Sequence, residues 1–144
     1  MASAPGASVE KLHTSVPDSS TYRFALTKIL IVDDSPAEVM LMQSVLDRAG
    51  YTSVAIHDPT RLEQTISSER PSLILMDVVM PERNGFQACR DLKNHEEFSR
   101  IPIVFVTSKD TPSDRFWAER QGGDGFIGKP FTAQQLVSEV QKYL

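Results

Sequence analysis

Five side chains in this sequence could share one reaction. Asp33 and Asp34 follow the apolar run Lys28-Ile-Leu-Ile-Val32, and Asp77 follows Leu73-Ile-Leu-Met76. Thr107 follows Ile101-Pro-Ile-Val-Phe-Val106, and Lys129 follows Asp124-Gly-Phe-Ile-Gly128. Carboxylates brought together repel one another and resist ionising unless a cation joins them. Hard oxygen donors suit Mg2+, which retains part of its water shell. A cation there makes the site receptive to a phosphoryl group, whose oxygens an ammonium and a hydroxyl could hold. An aspartate carboxylate is a known kind of phosphoryl acceptor. The chemistry suggested is therefore metal-assisted transfer to Asp77, with the cation and Lys129 dispersing charge. Taken singly, each feature has a plainer reading. An isolated Asp77 is best read as a helix cap or loop acid, and an acidic pair or a Lys-Pro step as scaffold. Five such residues, each at a strand end and in order, are hard to explain that way.

The elements that must position them form a repeating pattern. Continuously apolar runs without polar alternation predict strands covered on both faces, hence parallel strands. Ser35-Pro36-Ala-Glu38 reads as a cap, a first-turn proline and a capping box for a helix carrying Val39, Met42, Val45, Leu46 and Ala49, stopped by Gly50. Tyr51–Ile56 predicts a second strand. Asp58-Pro59 opens a helix bearing Leu62 and Ile66, and Asn84-Gly85 caps one bearing Phe86, Cys89 and Leu92. Thr111-Pro112-Ser-Asp114 starts a fourth, ended by Gly122-Gly123, and Thr132 with Gln135 starts the last, which runs to Leu144. Strand and helix thus alternate five times with short connections. That pattern implies an α/β fold, a (βα)5 three-layer sandwich around a parallel five-stranded sheet. The flavodoxin-like strand order 2-1-3-4-5 is expected, with ligands bound beyond the carboxyl ends of the strands.

Composition narrows the function classes. The chain has 144 residues, a formal net charge of −4 and one cysteine, Cys89. This is one domain's worth of chain, with no disulfide framework and no basic block for nucleic acid. No apolar stretch nears the roughly 20 residues of a membrane span, and Met1–Ser8 lacks the features of a secretion signal. A soluble cytoplasmic protein is expected, without nucleic-acid binding or membrane insertion. Residues 1–27, rich in Ala, Ser, Pro, Gly and Thr, predict a flexible N-terminal arm with at most a short helix near Val9–Thr14, ahead of one domain over 28–144.

On these residues the chain resembles the receiver domains of bacterial two-component response regulators, the CheY-like family, from about Lys28 to Leu144. The resemblance implies roles. Asp77 would be the phosphorylated aspartate. Asp34 would bind Mg2+ directly, Asp33 mainly through water, and Val79 through its backbone carbonyl. Thr107 would move to bond the phosphoryl group, with Lys129 beside it, Pro130 in a cis peptide, and Phe126 at the aromatic switch position. Phe126 lacks the hydroxyl of a tyrosine, so its ring could follow Thr107 only without that hydrogen bond. Asp34-Ser-Pro-Ala-Glu38, Met76-Asp-Val-Val-Met-Pro81, Asn84-Gly-Phe-Gln-Ala88, Val106-Thr-Ser-Lys-Asp110 and Trp117-Ala-Glu-Arg-Gln-Gly122 are similar to the stand-alone regulators of pilus-driven twitching motility and phototaxis. The resemblance further implies a sensor histidine kinase or phosphotransfer protein as donor. It implies a target protein on the face of the fourth helix, fifth strand and fifth helix. With no output domain expected after the last helix, such a chain is a phosphoacceptor switch and not an enzyme in the usual sense.

Rival readings have discriminating features. A phosphate sink, or a degenerate receiver serving only as a binding module, would need no productive output or no metal affinity. A haloacid-dehalogenase-type phosphatase needs a second Asp two residues after the nucleophile, where this chain has Val79. Gly123-Asp-Gly-Phe126 resembles a cyclic-dinucleotide cyclase signature but lacks its second acid. His13, His57 and His95 are scattered and are expected to be neither ligands nor catalysts. Met40 and Met42 are expected to pack, as is Phe116. Trp117 fits packing and a partner surface equally. Arg83 and Arg115 are expected to be solvated, and Glu38 is assigned to capping, although it and Gln43 lie where the family's first helix docks kinases.

Overall fold

Runs of branched apolar residues make the three inner strands, and polar punctuation with a proline or glycine makes each turn out of the sheet. The computed structural model describes residues 27–144. In chain order the elements are β1 (Lys28–Val32), α1 (Pro36–Arg48), β2 (Thr52–Ile56), a 3-10 turn (Pro59–Arg61), α2 (Leu62–Glu69), β3 (Leu73–Met76), α3 (Gly85–Lys93), β4 (Ile103–Thr107), α4 (Pro112–Arg120), β5 (Gly125–Gly128) and α5 (Ala133–Gln141). The sheet order is β2-β1-β3-β4-β5, with every pairing parallel. The expected arm over residues 1–27, and the short helix considered at Val9–Thr14, lie outside the described residues apart from Thr27.

Side chains alternate across a strand, and here both faces are apolar. Ile29, Ile31, Leu73, Leu75, Val104 and Val106 pack on one face with Val39, Met42 and Leu46 of α1 and Leu136 and Val140 of α5. Leu30, Val32, Ile74, Met76, Ile103 and Phe105 pack on the other with α2, α3 and Ala118 of α4. Two helices cover one face and three the other, which is the three-layer sandwich.

The helix starts follow the cap signals. Thr111 with Asp114 and Thr132 with Gln135 form complete capping boxes, and the Asn84 side chain accepts from the Gln87 N–H. Gly50 and Gly122 close α1 and α4 at φ of 90° and 102°, where a Cβ would be strained.

Several expectations are corrected. Ser35 accepts from the Glu38 N–H, but the Ser35 N–H donates to Asp33 Oδ1 at 2.9 Å, so the box at α1 is only half formed and the Glu38 carboxylate is free of it. Asp58-Pro59 opens a 3-10 turn before α2. β4 begins at Ile103 and includes Thr107. Pro102 precedes it and has no N–H to donate to the ladder. β5 starts at Gly125 and α5 stops at Gln141. Met42 packs, but Met40 is 70 % exposed and Ala49 is also exposed, because the face buried by α1 is narrower than its apolar content. Phe116 is 51 % exposed and does not pack in the core.

Candidate functional site

Register brings the strand ends together. Asp33 and Asp34 leave β1, Asp77 leaves β3, Thr107 ends β4 and Lys129 follows β5. Backbone bonds fix each step. The Asp77 N–H donates to the Val32 carbonyl at 3.0 Å, and the Lys129 N–H donates to the Thr107 carbonyl at 2.9 Å. The Asp33 N–H donates to the Ile56 carbonyl at 3.2 Å. The Lys129–Pro130 peptide is cis.

Lys129 joins the acidic groups. Its Nζ donates to Asp33 Oδ2 at 2.8 Å and to Asp77 Oδ2 at 3.2 Å, with Glu38 Oε1 at 3.8 Å. Asp33 is 1 % exposed. Burial raises the Asp33 pKa above the ordinary carboxylate value, against the opposing pull of the Lys129 bond and the Ser35 N–H. For Lys129, burial works to lower the ammonium's pKa, but Asp33 and Asp77 together outweigh it and hold the value above that of an ordinary lysine. The cluster is thus anchored by one charged ammonium.

Asp33, Asp34 and Asp77 each offer a carboxylate oxygen, and these oxygens lie within 4.8 Å of one another. Asp34 is exposed and Asp77 half-buried, so the set opens to solvent on one side. An all-oxygen group of this span, with room for water, fits a hard divalent cation such as Mg2+. Thr107 is fully buried, and its hydroxyl accepts from the Lys109 N–H at 3.2 Å. Val79 lies in the loop after Asp77 with its side chain 60 % exposed, so this side chain takes no part in packing. Phe126 pairs in register with Phe105, two residues before Thr107, and is partly buried with the Arg115 guanidinium 4.5 Å from its ring centre. The sequence-derived set therefore meets at one end of the sheet, with Val79 and Phe126 at its margins.

The site also holds residues that the sequence reading placed elsewhere. Glu38 sits near Lys129 instead of completing a cap. His57 Nδ1 lies 3.2 Å from the Asp33 carbonyl oxygen. Arg83 is not solvated. Its side chain is 15 % exposed and ion-paired with Glu63 and Asp91. Arg115 is half exposed, as expected, and pairs with Asp110 at 2.9 Å. Gly85 packs against the backbone of Asp77, where a Cβ would run into the Asp77 carbonyl oxygen. The Asn84-Gly85 pair was the visible signal for that approach. The partners of Arg83 lie too far along the chain to leave one.

A family model for the response regulator receiver domain matches residues 29–141. The PilH protein of Pseudomonas aeruginosa is 36 % identical over 119 residues, covering 83 % of this chain and 98 % of that protein. The solved receiver domain of a signal transduction histidine kinase from Syntrophus aciditrophicus is 34 % identical with a TM-score of 0.75, covering 82 % of this chain and 89 % of that one. The receiver domain of a sensor histidine kinase of Pseudomonas aeruginosa, solved with a magnesium ion coordinated in its active-site cleft, is 26 % identical with a TM-score of 0.74, covering 81 % and 96 %. The chain spans about half the length of the transcriptional regulators that it also matches.

Proposed function

The chain belongs to the response regulator receiver family, and from that premise we propose that residues 28–144 form a phosphoryl-accepting switch with Asp77 as the acceptor. The observation that carries the reading is the meeting of three carboxylates within 4.8 Å, with the Lys129 ammonium bridging two of them. Asp33, Asp34, Asp77 and the Val79 carbonyl are the oxygens that would hold Mg2+. When bound, Mg2+ supplies the positive charge that offsets the oxygens of a transferring phosphoryl group.

The chain's own groups then have defined tasks. An Asp77 oxygen attacks phosphorus of a kinase phosphohistidine. The P–N bond breaks, and the imidazole leaves with the bonding pair. Lys129 exchanges its bond to Asp77 for a phosphoryl oxygen, so its charge is used twice. The Thr107 hydroxyl, which accepts from the Lys109 N–H within its own turn, donates to another phosphoryl oxygen. Movement of Thr107 gives room to Phe126, and this biases the face built from α4, β5 and α5. Phe116 and Trp117, 51 % and 50 % exposed on α4, supply apolar area there for a target protein. Hydrolysis by water returns Asp77, so no other turnover is required. The likeness to PilH supports pilus-driven motility as the pathway, with a sensor histidine kinase or phosphotransfer protein as donor.

The test is direct. The full chain is incubated with Mg2+ and acetyl phosphate and followed by intact mass. A phosphoryl adduct is expected, lost on chelation of the metal and absent from Asp77→Asn. Equal modification of Asp77→Asn overturns the reading.

A further inference from the structure

The loop between β3 and α3, residues 77–84, carries both Asp77 and Val79. Val78 and Met80 anchor its inner half, whereas Pro81, Glu82 and Asn84 are exposed. Glu82 has φ 72°, a left-handed backbone that a non-glycine residue adopts only when its surroundings hold it there. The next side chain turns back inward. Arg83 Nη1 donates to Glu63 Oε1 at 2.9 Å and to the Pro59 carbonyl at 3.1 Å, and Nη2 donates to Glu63 Oε2 at 2.6 Å and Asp91 Oδ2 at 3.1 Å. One guanidinium thus ties the loop to the 3-10 turn, to α2 and to α3.

We propose that Arg83 is a positioning residue for the site at Asp77, acting through Glu63, Asp91 and Pro59 to fix the loop that presents Asp77 and the Val79 carbonyl. The inference rests on the function proposed above. Exposed ion pairs usually contribute little, but here the guanidinium is mostly buried, with its Glu63 and Asp91 partners still reaching solvent, and the contact is bidentate and part of a network. Only the planar fork of arginine meets both Glu63 oxygens at once, and a lysine would not. The Arg83 hydrogen bond holds the Glu63 carboxyl below the usual range, and the Glu63 bond raises Arg83, so both stay charged at neutral pH. The Pro59 contact extends the tie to the segment that follows β2. Pro59 lies two residues beyond His57, whose ring meets the Asp33 carbonyl oxygen. The fork therefore joins the loop that carries Asp77 and Val79 to the turn that follows His57.

The test compares wild type, Arg83→Met, Arg83→Lys, Glu63→Gln and the Arg83→Met/Glu63→Gln double variant, all as full chains. Each is read for thermal stability, Mg2+ affinity by calorimetry and the Mg2+ dependence of modification by acetyl phosphate. Arg83→Met and Glu63→Gln are expected to weaken Mg2+ binding about ten-fold each, with the double variant no weaker than either and Arg83→Lys failing to rescue. A drop in melting temperature with wild-type Mg2+ affinity would overturn the proposal and leave Arg83 a fold contact only. Amide exchange at residues 78–84, measured without metal, judges the clamp separately. Faster exchange in Arg83→Met is expected even if Asp77 is never modified, which would count against the phosphoryl reading alone. Unchanged exchange overturns the clamp.

Discussion

At the scale of residues, the central fact is one ammonium among acids. Lys129 Nζ reaches Asp33 at 2.8 Å, and Asp33 is 1 % exposed. Removing one partner of such a pair strands the other charge, so Lys129→Met is expected to cost about 3 kcal/mol at neutral pH, checked by chemical denaturation. Added Mg2+ is expected to restore part of that loss, because a ligand bound only by the native state stabilises it. The Lys129 pKa is raised above 10.5, so the wild-type contribution is complete below that value and fades as pH rises through the native value. Cys89 is fully buried, and burial pushes its thiol up to about 12. The reactive thiolate is therefore withheld in the native state. Native protein is expected to resist iodoacetamide at pH 8 and to react once unfolded, and rapid native alkylation would contradict this. Stability tied to that thiol is present below 9.0 and is lost as pH climbs toward 12, because the unfolded thiol ionises first. The acids and Lys129 were legible in the sequence because each directly follows an apolar run. Arg83 was not, because its partners Glu63 and Pro59 lie 20 and 24 residues away and no local pattern marks them.

At the scale of elements, the site depends on how closely α3 approaches β3. The Gly85 N–H donates to the Val78 carbonyl at 2.7 Å, and any Cβ on Gly85 meets the Asp77 carbonyl oxygen. Gly85→Ala is expected to cost about 3 kcal/mol as an overpacking change and to abolish acetyl-phosphate modification. A thermal melt with intact-mass analysis checks both, and a fully modifiable, wild-type-stable variant would contradict the account. Helix starts were legible because caps are local, as Thr111 with Asp114 and Thr132 with Gln135 show. The half-formed box at Ser35 was not, because Asp33 competes for its N–H from outside the helix. Exposure was also hidden on α1 and α4. Residue type places Met40 and Phe116 in a core, but the helix rotation that the neighbouring layer accepts leaves them outside.

At the scale of the whole molecule, parallel pairing is what converts separate acids into a site. Five strands run the same way, so all their carboxyl ends face one side. The order β2-β1-β3-β4-β5 sets the ends of β1, β3, β4 and β5 side by side, and Asp33, Asp77, Thr107 and Lys129 arrive as neighbours. This architecture was legible because periodicity and short connections leave few topologies. Strand boundaries were less so, because Pro102 and the glycines of β5 shorten the ladders without changing the apolar pattern. On the proposed function, this convergence makes Asp77 the acceptor. Borohydride trapping after treatment with Mg2+ and acetyl phosphate tests it. Reduction converts an aspartyl phosphate to homoserine, which peptide sequencing by mass spectrometry locates. Homoserine at position 77 is predicted, and homoserine at position 33 or 34 with Asp77 intact would contradict the account.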